Sequence, residues 1–231
     1  MSEMTTLAPP EVPTWRMYRA MVGVGLLCGL LIVSVFQLTT PIIAKNRAEA
    51  LQKAVFEVLP GAASSKTFVR EGDRFVPLPD GASDSPGVGE ERVYAGYDQG
   101  GALVGVAIEA EGMGYADVIK VLYGYGFDQS AIVGLKVLES KETPGLGDKI
   151  EKDPAFRENF QALDVSLDGS GKAASHPIEV VPHGTKTSPW QIDAITGATI
   201  SSKAIGGLLG KSTAYWMPIL APRRGDFEES R

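Results

Sequence analysis

Residues 20–38 read AMVGVGLLCGLLIVSVFQL, nineteen positions without a charge. At about 1.5 Å of rise per residue, a helix of that length reaches roughly the 30 Å of a bilayer's hydrocarbon core. A cleaved signal peptide has a shorter apolar stretch followed by a small-residue cleavage site. Here TTPIIAKNRAEA follows, and the apolar pattern runs on through Ile42 and Ile43. The expectation is therefore an uncleaved membrane anchor. Gly23, Gly25 and Gly29 leave room for a neighbouring helix, although glycine is common in membrane spans in any case. Arg16 and Arg19 on one flank are balanced by Lys45 and Arg47 on the other, so charge alone sets no orientation.

The rest of the chain divides by rhythm. Residues 1–19 form a polar, proline-containing arm, 20–40 the span, and 41–61 a linking helix with Ile43, Leu51, Val55, Val58 and Leu59 at helical spacing. Pro60 and Gly61 end that helix, which is expected to dock on the domain behind it. The domain occupies 62–218, and 219–231 reads as a polar tail. Residues 61–91 are rich in Gly, Pro, Ser and Asp, with a short strand at 67–70. RVYAGY and ALVGVAIEAEG then make a hairpin, and strands follow at 117–125 and 131–140. DPAFRENF has Asp153 as N-cap and Pro154 at the first helical position. IEVVP predicts another strand, and a last helix covers about 201–216. Strands come in succession rather than alternating with helices, so the fold class is α+β: one N-terminal membrane helix followed by an antiparallel sheet with flanking helices.

Composition excludes several roles. A formal net charge of −6 argues against a nucleic-acid partner. A single cysteine, Cys28, allows neither a disulfide framework nor a Cys-ligated metal site within the chain, and reads as a packing residue of the span. His176 and His183 fall in proline-containing loop sequence, Trp190 reads as core, and Glu109, Glu111 and Glu139 as a solvated strand face. No residue suggests itself as catalytic or metal-binding.

Three short stretches carry the chemistry. In DAITGATISSKAIGG, residues 193–207, a helix starting near Ser201 offers free N–H groups and a positive dipole end to a phosphate, with the Thr199 hydroxyl just upstream. Gly197 and Ala198 present little side chain to a bulky ligand. The plain alternative is that Ser201 or Thr199 caps the helix. GGLLGKS is no P-loop, because Ile205 stands where the first glycine belongs. In ESKETPGLGDK, Thr143 is pushed toward extended backbone by Pro144, while Gly145 and Gly147 expose main chain on both sides of Leu146. Such a loop suits either a flat ring or an ordinary strand-to-helix connection. EGMGYADV places Gly112 and Gly114 around Met113 and before Tyr115.

Residues 193–199, DAITGAT, match the D-x-x-[ST]-G-A-T flavinylation signature of FMN-binding domains; ETPGLG at 142–147 and GMGY at 112–115 match further motifs of the same domains in the same order. Across roughly 93–216, and with its single span, the chain resembles the G subunits of Rnf electron-transport complexes. These are relatives of the C subunits of sodium-pumping NADH:quinone reductases, which the shared motifs do not separate from them.

The resemblance implies FMN joined by a phosphoester to Thr199, attached by a flavin transferase that uses FAD and works outside the cytoplasm. It implies a bacterial inner-membrane location, with the amino terminus cytoplasmic and the domain periplasmic. Asp193 and Thr196 would shape the loop or be recognised by the transferase. Gly197, Ala198 and Ser201 would surround the phosphate, and Glu142, Thr143, Gly145, Leu146 and Tyr115 the flavin. The implied partners are the other Rnf subunits, the transferase and membrane lipid. The implied role is electron carriage between NADH and ferredoxin chemistry, coupled to ion transport, without turnover by this chain alone. Two other classes stay open: a membrane-tethered module holding a phosphate-bearing ligand reversibly, and a periplasmic hydrolase using Ser201 or Ser202.

Overall fold

The computed structural model describes residues 14–79 and 89–228. The first thirteen residues of the expected arm, part of the Gly- and Pro-rich stretch and the end of the tail lie outside the described residues. Two compact units are present, Met1–Arg47 and Ala48–Arg231.

Helix α1 spans Thr14–Val58 without a break. The boundaries expected between arm, span and linking helix all fall inside it. Pro41 removes one N–H from the ladder. In the turn before it, the Thr39 and Thr40 hydroxyls donate to the carbonyls of Val35 and Phe36 at 2.8 and 2.6 Å. Within the first unit, apolar side chains such as Leu26, Ile32 and Phe36 are exposed around the helix. α1 is long and apolar enough to cross a membrane, and a helix that is hydrophobic all round needs an apolar surrounding.

The second unit is built on a seven-stranded sheet. Its strands are β1 Ser64–Glu71, β2 Arg74–Pro77, β3 Arg92–Tyr97, β4 Leu103–Met113, β5 Val118–Gly126, β6 Ala131–Glu139 and β7 Leu163–Asp164. They lie in the order β2-β1-β3-β4-β5-β6-β7, antiparallel at every pairing. The expected meander is present. The short β2 and β7 that close its edges carried no alternation long enough to read.

Side chains alternate between two buried faces, as the period of two requires. On one face Val93, Ala95, Val106, Ile108, Val121 and Tyr123 meet the last helix, α4 Thr199–Leu220, through Ile205, Leu208 and Leu209. On the other face Tyr94, Ala107 and Leu122 meet Ala54, Val55, Val58 and Leu59 at the end of α1. That end sits on a row of glycines crossing four strands, Gly96, Gly105, Gly124 and Gly134. A Cβ at Gly134 would lie 2.6 Å from the Val58 carbonyl oxygen, and one at Gly96 2.7 Å from Leu59 Cδ1. Only glycine lets backbone approach backbone this closely.

Between β6 and α4 run α2 Lys149–Lys152, α3 Pro154–Glu158 and a two-stranded parallel sheet of β8 Glu179–Val181 and β9 Gln191–Asp193. Asp153 caps α3 as expected, accepting from the Ala155 N–H at 3.0 Å. Two expectations are corrected. Trp190 is not core: it is half-buried and stacks on His176, ring centroids 3.8 Å apart. The stretch after 218 is not a loose polar tail. α4 continues to Leu220, a 3-10 helix follows over Ala221–Asp226, and Phe227 inserts among Phe68, Phe75 and Phe127 with 1 % exposure. Arg223 and Arg224 there pair with Asp73, Asp128 and Glu228.

Candidate functional site

Three connections of the second unit converge at the amino end of α4. The first is the turn from β4 to β5, closed by the Gly114 N–H donating to the Asp117 carbonyl at 2.9 Å. Lys141, at the exit of β6, pairs with Asp117 at 2.8 Å. The hydrogen bond from Lys141, and then that from the Val118 N–H, hold the Asp117 carboxyl below its ordinary range.

The second connection is the loop 140–148. The Thr143 carbonyl accepts from the Leu146 N–H at 3.1 Å, and the Gly145 N–H donates to Asp148 Oδ1 at 2.7 Å. Gly145 has φ +79°, a conformation that costs an ordinary residue about 1 kcal/mol or more. The turn pushes Leu146 outward, 53 % exposed.

The third is the turn from β9 into α4. Gly197, at φ +83°, reverses the chain, and Ala198 is the N-cap residue with no side-chain bond to offer. No side chain caps the first-turn N–H groups; the turn is braced from inside the helix, where Ser202 Oγ accepts from the Ile195 N–H at 3.1 Å and donates to the Ala198 carbonyl at 2.9 Å. The expected cap by Thr199 or Ser201 is therefore corrected. α4 begins at Thr199 rather than near Ser201. Thr199 and Ile200 face solvent, while Ser201 and Ser202 are buried.

Glu142 ties the three together. It is 6 % exposed; Oε1 accepts from the Ala116 N–H at 2.9 Å, and Oε2 accepts the Ser201 hydroxyl.

A groove of about 380 Å³ brings together most of the expected residues: Tyr115, Glu142, Thr143, Leu146, Gly197, Ala198, Thr199 and Ser201, with Gly147 and Ile200. Gly145 shapes the loop without lining the groove. Asp193 and Thr196 lie on the other side of the helix start. Thr196 and Thr199 line a second groove of about 430 Å³ with His183 and Lys203, so Thr199 stands on the ridge between the two. Asp193 borders a further hollow with Lys149 and Lys152. Its Oδ1 accepts from the Gly184 N–H at 2.7 Å, and His183 Nδ1 stands 3.4 Å from Oδ2. Its main chain is held by the Asn159 amide, Oδ1 to N at 2.9 Å and Nδ2 to O at 3.2 Å. The carboxylate thus turns toward the 182–187 loop. Lys186 donates to the same Asn159 at 3.2 Å, and partial burial lowers its pKa against the opposing pull of Asp193.

The arrangement joins two chemistries. An exposed hydroxyl sits on the first turn of a 22-residue helix, where free N–H groups favour a phosphate. Beside it Tyr115, Leu146 and Ile200 are all more than half exposed, an apolar rim suited to a flat ring. These residues fit FMN. The sequence marks Ser202 only as a candidate nucleophile, and it marks neither Asn159 nor Ile200. Asn159 lies far from every motif, and nothing local marks it.

Residues 114–212 match the FMN-binding domain family. The chain is 33 % identical over 172 residues to the G subunit of the ion-translocating oxidoreductase complex of Methanosarcina acetivorans, covering 73 % of this chain and 76 % of that one. It is 32 % identical over 220 residues to the protein of the same name from Cereibacter sphaeroides, covering 90 % of each. Its fold superposes on the crystal structure of Shewanella oneidensis NqrC with a TM-score of 0.61 at 20 % identity, over 79 % of this chain and 96 % of that one.

Proposed function

The chain belongs to the family of G subunits of ion-translocating oxidoreductase complexes of the Rnf type, with an FMN-binding domain, and we propose that it relays electrons through FMN bonded by its phosphate to Thr199. The observation that carries this is the placement of Thr199. Its side chain is exposed on the first turn of α4, at the edge of the groove whose apolar rim is Tyr115, Leu146 and Ile200.

Each part of the site has a task in this account. Gly197 and Ala198 clear the approach to the hydroxyl, and the first-turn N–H groups face the phosphate. Thr143, Leu146 and Tyr115 hold the ring, and Gly145 gives their loop its turn. Asp193 and Thr196, on the far side of the helix start, present the acceptor loop to the flavin transferase. In that transfer Thr199 Oγ loses its proton and bonds to the flavin-side phosphorus of FAD, while the pyrophosphate bond breaks and adenosine monophosphate leaves. Bound FMN supplies the redox chemistry, and the chain supplies placement and local electrostatics. A cofactor held by a bond needs no deep cleft, which suits an open groove and electron exchange with neighbouring subunits.

Membrane lipid surrounds the apolar part of α1, with the amino terminus in the cytoplasm and the domain in the periplasm. The coupling of NADH and ferredoxin chemistry to ion movement belongs to the whole complex. A hydrolase built on Ser201 or Ser202 has no free nucleophile, since both hydroxyls are buried and committed. A C-type quinone-reductase subunit has the same fold, but the relatives that are G subunits carry the higher identity. The test is Thr199→Ala co-expressed with a flavin transferase: a folded chain, dark after denaturing electrophoresis, is expected. A fluorescent band from that variant rejects Thr199 as the attachment point.

A further inference from the structure

Glu142 carries both a burial cost and a geometry that a ligand contact does not require. Both carboxylate oxygens are consumed within the protein, by the Ala116 N–H and the Ser201 hydroxyl. Two glycines make the slot it occupies. A Cβ on Gly114 would lie 2.5 Å from Oε1, and one on Gly147 2.7 Å from Oε2 and 3.0 Å from Ser201 Oγ. A buried carboxylate is tolerated only with such charge-assisted bonds. One side chain therefore reaches the turn that carries Tyr115, the first turn of α4 that carries Thr199, and the loop that carries Leu146.

We infer that Glu142 is a positioning residue that clamps these three segments in one register. It sets the spacing between the Thr199 attachment point and the Tyr115–Leu146 rim against which the ring lies. The consequence for the flavin rests on the function proposed above; the clamp itself does not. Because each carboxylate oxygen already holds a protein partner, removing the side chain unties the three segments and loosens the seat. Glutamine preserves the clamp, since its carbonyl accepts from the Ala116 N–H and its amide donates to Ser201 Oγ.

The test compares hydrogen exchange in the full-length, flavin-free chain in detergent for wild type, Glu142→Ala, Glu142→Gln and Ser201→Ala. In Glu142→Ala, exchange over 114–117 and 143–147 should rise about tenfold or more, with the amides of β4 and β5 unchanged. Glu142→Gln should stay within about threefold of wild type. Should Glu142→Ala not fold, Ser201→Ala decides, with faster exchange over 143–147 expected. Unchanged exchange in the alanine variants, or Glu142→Gln as fast as Glu142→Ala, overturns the clamp.

In chains made with the transferase, the flavin that Glu142→Ala carries on Thr199, whatever its yield, should lose its induced visible circular dichroism, and its reduction potential should move toward that of free FMN. Wild-type dichroism and potential in that variant overturn the positioning role. A wild-type chain that takes no covalent flavin rejects the proposed function, and the exchange comparison still decides the clamp.

Discussion

Ser201 donates its hydroxyl hydrogen to the Glu142 carboxylate across 59 positions of sequence, and both side chains are buried. Ser201 stands two residues beyond Thr199 on the same helix, yet their chemical positions are opposite. One hydroxyl is locked into the protein and the other faces solvent. Of these two hydroxyls, the buried one serves the structure, and the exposed one is the one proposed to carry FMN. Ser201→Ala leaves a buried carboxylate one bond short and should lower stability by about 1.5–3 kcal/mol. Denaturant unfolding measures the loss, and flavin yield on Thr199 should not fall with it.

The glycine row under the end of α1 gives a second expectation. Gly134→Ala places a Cβ 2.6 Å from the Val58 carbonyl oxygen and 2.7 Å from its Cα, both backbone atoms that cannot swing aside. A loss of about 3 kcal/mol should follow. Gly207→Ala is the control, because that glycine lies in α4 with open space where its Cβ would stand. It should gain about 0.5–1 kcal/mol. Equal effects from the two would mean that the end of α1 does not press on the sheet.

Acid should weaken the Asp117–Lys141 contact in a defined direction. The folded Asp117 pKa lies below the ordinary 3.8, chiefly through the Lys141 hydrogen bond. Its contribution is complete above that ordinary value, falls as the pH drops below it, and is gone beneath the folded value. The pair is solvent-exposed, so the effect is small and screened by salt. Thermal midpoints of wild type and Asp117→Asn should differ near neutral pH and converge as the pH falls below 3.8. A gap that persists in acid excludes the ion pair as its source.

Much of this was legible before the structure. The strands at 92–97, 103–113, 118–126 and 131–139 stand out because short runs rich in β-branched and aromatic residues are separated by turn sequence. The motif residues around Thr143, Leu146, Tyr115 and Thr199 do meet in one groove. The start of α4 was misplaced because its hydroxyls looked like caps. No side chain caps it: a glycine at positive φ turns the chain, and Ser202 bonds backward to brace that turn. The carboxy-terminal stretch looked polar because one phenylalanine carries its anchoring, and that ring's partners lie in other segments. The expected division of α1 at 40/41 follows the length of a membrane span, and nothing local shows that the turn before Pro41 is supported by two threonine hydroxyls. Each of these depends on a partner that a local pattern does not contain.

The measurement that bears most directly on the central claim is a peptide map of the full-length chain, expressed with a flavin transferase and fully denatured. FMN should be retained through denaturation and found on the peptide containing Thr199, with Thr196, Ser201 and Ser202 unmodified. Flavin released by denaturation, or found on another residue while Thr199 stays bare, would contradict that claim.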